Sequence, residues 1–193
     1  MRKPIIAISL DSHEGGEHAY SEYPFYALRK DYAHAVSSSG GIPIMLPFDE
    51  TSIDDVLEIA DGLIIPGGDY DIDPKFFGQE ILNDTVIINH ARTDYDMRLL
   101  EKALAKNIPF LGICYGMQLM NVLFGGSLIQ DIKTERKDAI EHKQPMPKDA
   151  PWHDISIEAG TKLAEISNGK LLHKVNSTHH QAIDKVPESL IIS

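Results

Sequence analysis

Apolar residues arrive in short runs along this chain, and their spacing alternates between two patterns. PIIAISL (4–10) and GIPIMLP (41–47) are continuous apolar runs, rich in isoleucine and punctuated by proline and glycine, and they predict buried strands. Between them, FYALRKDYAHAVSSS places Phe25, Leu28, Tyr32, Ala35 and Val36 near helical spacing, with Gly40 and Gly41 as a stop. TSIDDVLEIA opens on a Thr or Ser cap and gathers Ile53, Val56, Leu57 and Ala60 on one face. GLIIPGG is a third apolar run that ends abruptly in a turn. DYDMRLLEKALAKN reads as a further amphipathic helix and IPFLGIC as a fourth strand. Strands apolar on both faces and separated by helices predict a doubly wound α/β fold, its mostly parallel sheet flanked by helices.

The second half has a different texture. After SLIQDI (127–132) comes TERKDAIEHKQPMPKDAPW, polar and proline-bearing, which reads as a surface excursion. HDISI (153–157), a helix led by Thr161, LLHKVNS (171–177) and LIIS (190–193) predict a smaller, partly antiparallel portion. Neither a repeat nor a linker divides the chain, so residues 1–193 are expected to form one domain.

Composition narrows the function without naming it. A chain of 193 residues that is 42% hydrophobic and 24% charged suits one domain with a substantial core. The basic start and apolar run of MRKPIIAISL stop at Asp11, too short for a signal peptide or a membrane span. A formal charge of −11 with no offsetting basic patch argues against nucleic acid as a partner. The single cysteine excludes an internal disulfide and agrees with a reducing compartment. The expectation is a cytoplasmic protein acting on a small molecule, off the membrane, with a homodimer as the default assembly.

That cysteine carries the candidate chemistry. An isolated cysteine in an apolar run is ordinarily an inert small hydrophobe. Here Cys114 stands in Gly112-Ile113-Cys114-Tyr115-Gly116, between a predicted strand and a predicted helix. Small residues two before and two after the central one are what a nucleophile elbow needs, because neighbouring backbone crowds both positions. The side chain then points off the carboxyl edge of the sheet, where open α/β folds bind ligands. Helix N-terminal amides are expected to lower the thiol pKa, and the Tyr115 N–H can donate to an oxyanion beside the sulfur. LIIPGGDYD (63–71) ends another strand on the same edge, and its Gly67 and Gly68 amides can supply a second donor.

Gly112-Ile113-Cys114-Tyr115-Gly116-Met117-Gln118, followed by Asn121-Val122 and Gly125-Gly126, resembles the nucleophile motif of class I glutamine amidotransferases. Within that superfamily the chain is most similar to the γ-glutamyl-γ-aminobutyrate hydrolase, or peptidase C26, type. Pro66-Gly67-Gly68 with Asp71-Ile72-Asp73-Pro74, Leu128-Ile129-Gln130-Asp131-Ile132, and Val175 to Ile183 extend the similarity over nearly the whole chain. The resemblance implies a flavodoxin-like sheet and a reaction. Cys114 would attack the γ-carbonyl of a γ-glutamyl amide, with the Gly68 and Tyr115 amides holding the oxyanion, and water would then release glutamate from a thioester. Gln118, Gly67, Ser177, His179 and His180 would contact the small-molecule γ-glutamyl substrate. No cofactor and no metal are implied.

The family also carries a His-Pro-Glu element near its C-terminus, and no His-Pro-Glu occurs here. The chain stops inside the apolar run LIIS, which predicts a domain truncated before that element. The alternatives are a non-catalytic ligand- or partner-binding relative, or a glutaminase subunit that feeds ammonia to a separate synthetase. Of the nine histidines, His179 and His180 are the best substitutes for a base, and strand alternation would let only one reach Cys114. DYDID (69–73) lacks a Ca²⁺-loop pattern and reads as a solvated loop start. Arg92, Asp94, Asp96 and Arg98 read as helix capping and surface pairing.

Overall fold

The computed structural model describes residues 2–193. In chain order the first half comprises β1 (Ile5–Ser9), β2 (Asp11–His13), β3 (Phe25–Ala27), α1 (Lys30–Ser38), β4 (Ile42–Leu46), α2 (Ile53–Ile59), β5 (Gly62–Ile65), α3 (His90–Ala105) and β6 (Phe110–Gly112). There follow α4 (Tyr115–Leu123), β7 (Leu128–Ile129), α5 (Ile132–Glu135), β8 (His153–Ser156), α6 (Lys162–Ile166), β9 (Leu172–Val175) and β10 (Ala182–Ile183).

The four apolar runs become one parallel sheet in the order β4-β1-β5-β6. Ala7, Leu63 and Ile65 of this sheet share a core with Ile53 and Leu57 of α2, Leu99, Leu100 and Ala103 of α3, and Leu119 and Val122 of α4. Burying each large aliphatic chain contributes about 1.5–3 kcal/mol, so this layer provides most of the cohesion. Among the described residues three antiparallel strand pairs accompany this sheet: β2 with β3, β8 with β9, and β7 with β10. This is the expected doubly wound, mostly parallel sheet, and the partly antiparallel C-terminal portion is present as β8–β9 and β7–β10.

Several expectations about individual segments need correction. Phe25 to Ala27 do not begin a helix; they pair with Asp11 to His13, and α1 starts only at Lys30. Helix α2 does not open on a Thr or Ser side-chain cap. The Asp49 carboxylate instead accepts from the Thr51 N–H in the 3-10 turn that precedes it. LIIS forms no strand, and Ile191 and Ile192 are exposed. Helix α3 begins at His90, four residues earlier than the periodicity suggests, because the Asn89 side chain accepts from the Arg92 N–H and caps it. That earlier start places Arg92 within the first turn, directly under the carboxyl edge of the sheet. The Thr161 hydroxyl does cap its helix, accepting from the Ala164 N–H at 3.2 Å.

Candidate active site

β5 and β6 are parallel neighbours, so the turns that follow them meet at one edge. Cys114 is the hinge of the second turn, with φ 53° and ψ −105°, a backbone state rarely held by a residue with a side chain. The turn is locked from both sides: the Ile113 N–H donates to the Ile65 carbonyl, and the Gly116 N–H to the Ile113 carbonyl. The two flanking glycines are obligatory. A Cβ on Gly112 would lie 2.5 Å from the Gly116 carbonyl carbon and oxygen, and one on Gly116 would collide with the Ile65 carbonyl oxygen. Both obstacles are backbone, which cannot swing aside.

The Pro66-Gly67-Gly68 loop reaches over this turn. A Cβ on Gly67 would stand 3.2 Å from the Cys114 Cβ, and the Gly67 N–H donates to the Tyr32 hydroxyl at 3.2 Å. Beneath the loop lies Arg92, which the sequence pattern assigned to capping and surface pairing. The structure corrects that reading, because the Arg92 side chain is completely buried. Its Nη2 donates to the Pro66 carbonyl at 2.9 Å and to the Gly67 carbonyl at 3.3 Å. Its Nη1 makes an ion-pair contact with Asp11 Oδ2 at 2.9 Å, and Nε donates to Asp96 Oδ2 at 3.4 Å. The guanidinium carbon stands 4.0 Å from the centre of the Tyr115 ring. Asp96 is as buried as Arg92, and burial outweighs the neighbouring cation, so its carboxyl titrates above the ordinary range. Such a pair costs about as much to desolvate as its attraction returns, and removing one partner is expensive. Arg98 does lie on the surface, paired with Glu50.

Cys114 opens onto a cavity of about 830 Å³. Gly68, Tyr115, Gln118, His179 and His180 share its lining with the sulfur. Gly67 and Ser177 do not line it. Ser177 is buried behind the wall, where its hydroxyl donates to the His142 carbonyl at 2.8 Å. The opposite wall comes from the polar excursion, through Ala139 to Lys143, and from Asp131, Lys133 and Arg136. Asp131 falls within the Leu128-to-Ile132 motif, but no hydrophobic period marks the others, so the sequence pattern had no signal for them.

His179 and His180 both line the cavity, because residues 177–181 are irregular rather than a regular strand. They differ in engagement. His180 is bracketed by two carboxylates, with Nε2 3.0 Å from Asp71 Oδ1 and Nδ1 3.5 Å from Asp131 Oδ1. His179 uses Nδ1 on the Gln181 carbonyl at 2.8 Å and its ring lies tilted against that of His142, so only its Nε2 has no protein partner among the described residues. DYDID is likewise more than a solvated start. Asp71 is buried and also accepts from the Ile87 N–H, and Asp73 caps the 3-10 turn at Pro74–Phe77. Among the described residues no group of three His, Cys, Asp or Glu side chains is arranged to hold a metal ion.

The electrostatics of the thiol differ from the expected activation. Although Cys114 is accessible from the cavity, concave protein walls withdraw it from bulk water. That burial pushes its pKa above the ordinary 9.0, and the Asp71 and Asp69 carboxylates push in the same direction. The Tyr115 N–H and the Arg92 guanidinium oppose the shift without cancelling it. Cys114 is thus a thiol at neutral pH, and among the described residues no histidine is hydrogen-bonded to it.

His180 shifts upward, because its hydrogen bond to Asp71 favours the imidazolium more than burial disfavours it. Its stabilising contribution is complete below the unfolded value of 6.5 and fades as pH climbs through the higher folded value. A His180→Gln variant is expected to lose about 1–2 kcal/mol at pH 6, with the gap narrowing as pH rises above 6.5. Urea titrations across that range measure it, and a gap independent of pH would mean that the ring is neutral in the fold.

The parallel sheet, the two turns at its edge and the sole cysteine between glycines place this chain among the class I glutamine amidotransferase-like α/β proteins. The model of the Peptidase C26 family matches residues 4–193, and the chain belongs to that family. A glutamine amidotransferase-like protein of Rickettsia prowazekii is 41% identical, covering 99% of this chain and 82% of the relative. The gamma-glutamyl-gamma-aminobutyrate hydrolase of Escherichia coli is 28% identical, covering 98% of this chain and 75% of that one. Among solved structures, a glutamine amidotransferase from Thermotoga maritima superimposes with a TM-score of 0.56 at 17% identity. The match covers 97% of this chain and 65% of that one, and at such identity it speaks for the fold alone.

Proposed function

We propose that the protein hydrolyses γ-glutamyl amide bonds through a γ-glutamyl thioester on Cys114. The observation that carries this reading is the Cys114 turn: a strained residue between two obligatory glycines, opening onto a cavity large enough for a small ligand. In the proposed reaction the sulfur attacks the γ-carbonyl carbon and the carbonyl π pair moves onto oxygen. The Gly68 and Tyr115 N–H groups meet that charge. The C–N bond then breaks, the amine departs with a proton, and water cleaves the thioester to glutamate. Gln118 and His179 border the same space and are assigned to the glutamyl portion.

A second reading, a ligand-binding protein of the same fold without turnover, is favoured by one observation. Burial holds the thiol above its ordinary pKa, and among the described residues no base is hydrogen-bonded to it. One experiment addresses both. Incubation of the native chain with a glutamine-like chloroketone is expected to add one label at Cys114 by intact mass, and none in Cys114→Ser. No adduct on the native chain would sink the hydrolase reading and leave the binding protein, whose thiol need not react. An adduct without glutamate release from a γ-glutamyl amide selects the binding protein.

A further inference from the structure

We propose that Arg92 is the positioning residue of the oxyanion hole, a role that rests on the reading of Cys114 as the attacking group. The two donors assigned to that hole lie on different segments, the loop after β5 and the first residue of α4, and nothing in either segment alone aims them at a common point. Arg92 touches both. Its Nη2 holds the carbonyls of Pro66 and Gly67. The Gly67 carbonyl and the Gly68 N–H belong to one planar trans peptide, so they point in opposite directions. Holding that carbonyl down onto the guanidinium therefore turns the Gly68 N–H away from the core, and Gly68 borders the cavity.

The other donor is fixed through a ring. The Tyr115 side chain is buried under the guanidinium, 4.0 Å from its carbon, and the Tyr115 hydroxyl donates to Thr93 Oγ1 at 3.4 Å. Anchoring that ring anchors the backbone of the residue whose N–H faces the Cys114 sulfur. Gly68 has its own reason to be glycine here. A Cβ would lie 2.5 Å from Asp11 Oδ2 and collide with Arg92 Nη1. The guanidinium thus occupies the space directly beneath the loop, and Asp11 and Asp96 hold it there from two further sides. A lysine keeps the charge but has no planar fork with which to grip two carbonyls while lying flat on an aromatic ring.

Two small alkylating reagents separate positioning from mere folding. Chloroacetone and iodoacetamide both convert the thiol to a thioether, with the thiol proton passing to buffer. Iodoacetamide does so by direct displacement of iodide. Chloroacetone does so by addition of the sulfur to the carbonyl carbon, whose π pair moves onto oxygen, followed by migration of the sulfur to the adjacent carbon as chloride leaves and the carbonyl re-forms. A ketone attacked at its carbonyl places negative charge where the two amides point, whereas displacement of iodide does not. The ratio of the two rates at Cys114 in the native chain is expected to exceed that of free cysteine by about tenfold or more. In Arg92→Lys the ratio is expected to fall to within about twofold of free cysteine, while the iodoacetamide rate stays within about threefold of native. Asp11→Asn loosens the guanidinium from its partly exposed side and is expected to lower the ratio by about threefold, which keeps the test decisive if Arg92→Lys does not fold. A native ratio no higher than that of free cysteine overturns the proposal, as does a ratio unchanged in the folded variants, or both rates falling together. Neither reagent requires glutamyl recognition. A chain that shows the ratio effect yet refuses the glutamine-like chloroketone overturns the γ-glutamyl reading and leaves Arg92 in its role.

Discussion

Alkylation of Cys114 by iodoacetamide is expected to accelerate about tenfold per pH unit between about pH 6.5 and 8. Only the thiolate attacks, and burial has moved the thiol above its ordinary 9.0, so each unit of pH below that point removes nine-tenths of the reactive form. The Tyr115 N–H at the helix N-terminus and the Arg92 guanidinium act in the opposite sense, but they do not overcome a site walled by protein and flanked by Asp69 and Asp71. Rates of intact-mass labelling across this range, with Cys114→Ser as the blank, measure the effect. A plateau below about pH 8 would mean a preformed thiolate and would show that the amides and Arg92 dominate after all. The same electrostatics explain why chemistry at neutral pH needs a group that takes the thiol proton during attack rather than before it.

The second large effect concerns the fold around the sulfur. Gly116→Ala is expected to destabilise the protein by about 3–5 kcal/mol, which in a domain of this size lowers Tm by about 10 °C. The new Cβ would fall on the Ile65 carbonyl oxygen, and relieving that clash means prying α4 off β5. Gly125→Ala is the control. That glycine holds φ 89° with nothing within 4 Å of a Cβ, so its cost is backbone strain of about 1–2 kcal/mol. Denaturant unfolding of both variants makes the comparison. A Gly116→Ala loss no larger than that of Gly125→Ala would show that the strand-to-helix junction yields to a methyl group, and the turn would no longer be a rigid mount for Cys114.

Much of the architecture was legible because burial on both faces leaves a local mark. PIIAISL, GIPIMLP, GLIIPGG and IPFLGIC are apolar throughout, and each became a strand of the parallel sheet. The Gly-x-Cys-x-Gly turn was legible for a related reason, since two glycines two residues either side of a third are needed only where backbone crowds both. Where the pattern misled, long-range partners had overridden a local preference. Phe25 to Ala27 have helical spacing but pair with Asp11 to His13. His179 and His180 both border the cavity because the segment has only a single bridge, Thr178 with Lys143, and backbone bonds to two different stretches, at His142 to Gln144 and at Ile132, in place of an extended ladder. The expected lowering of the thiol pKa failed because it counted the helix amides and not the walls of the cavity.

The chain alone, then, determined the sheet, the helices and the one residue raised at its edge, because periodicity and backbone crowding act over a few neighbours. Only the folded molecule decided that Arg92, written among polar residues as if for the surface, lies wholly buried beneath the Cys114 turn. A charge is drawn into a core by carboxylates and carbonyls distant in sequence, here Asp11, Pro66 and Gly67, and no local pattern records where those will meet.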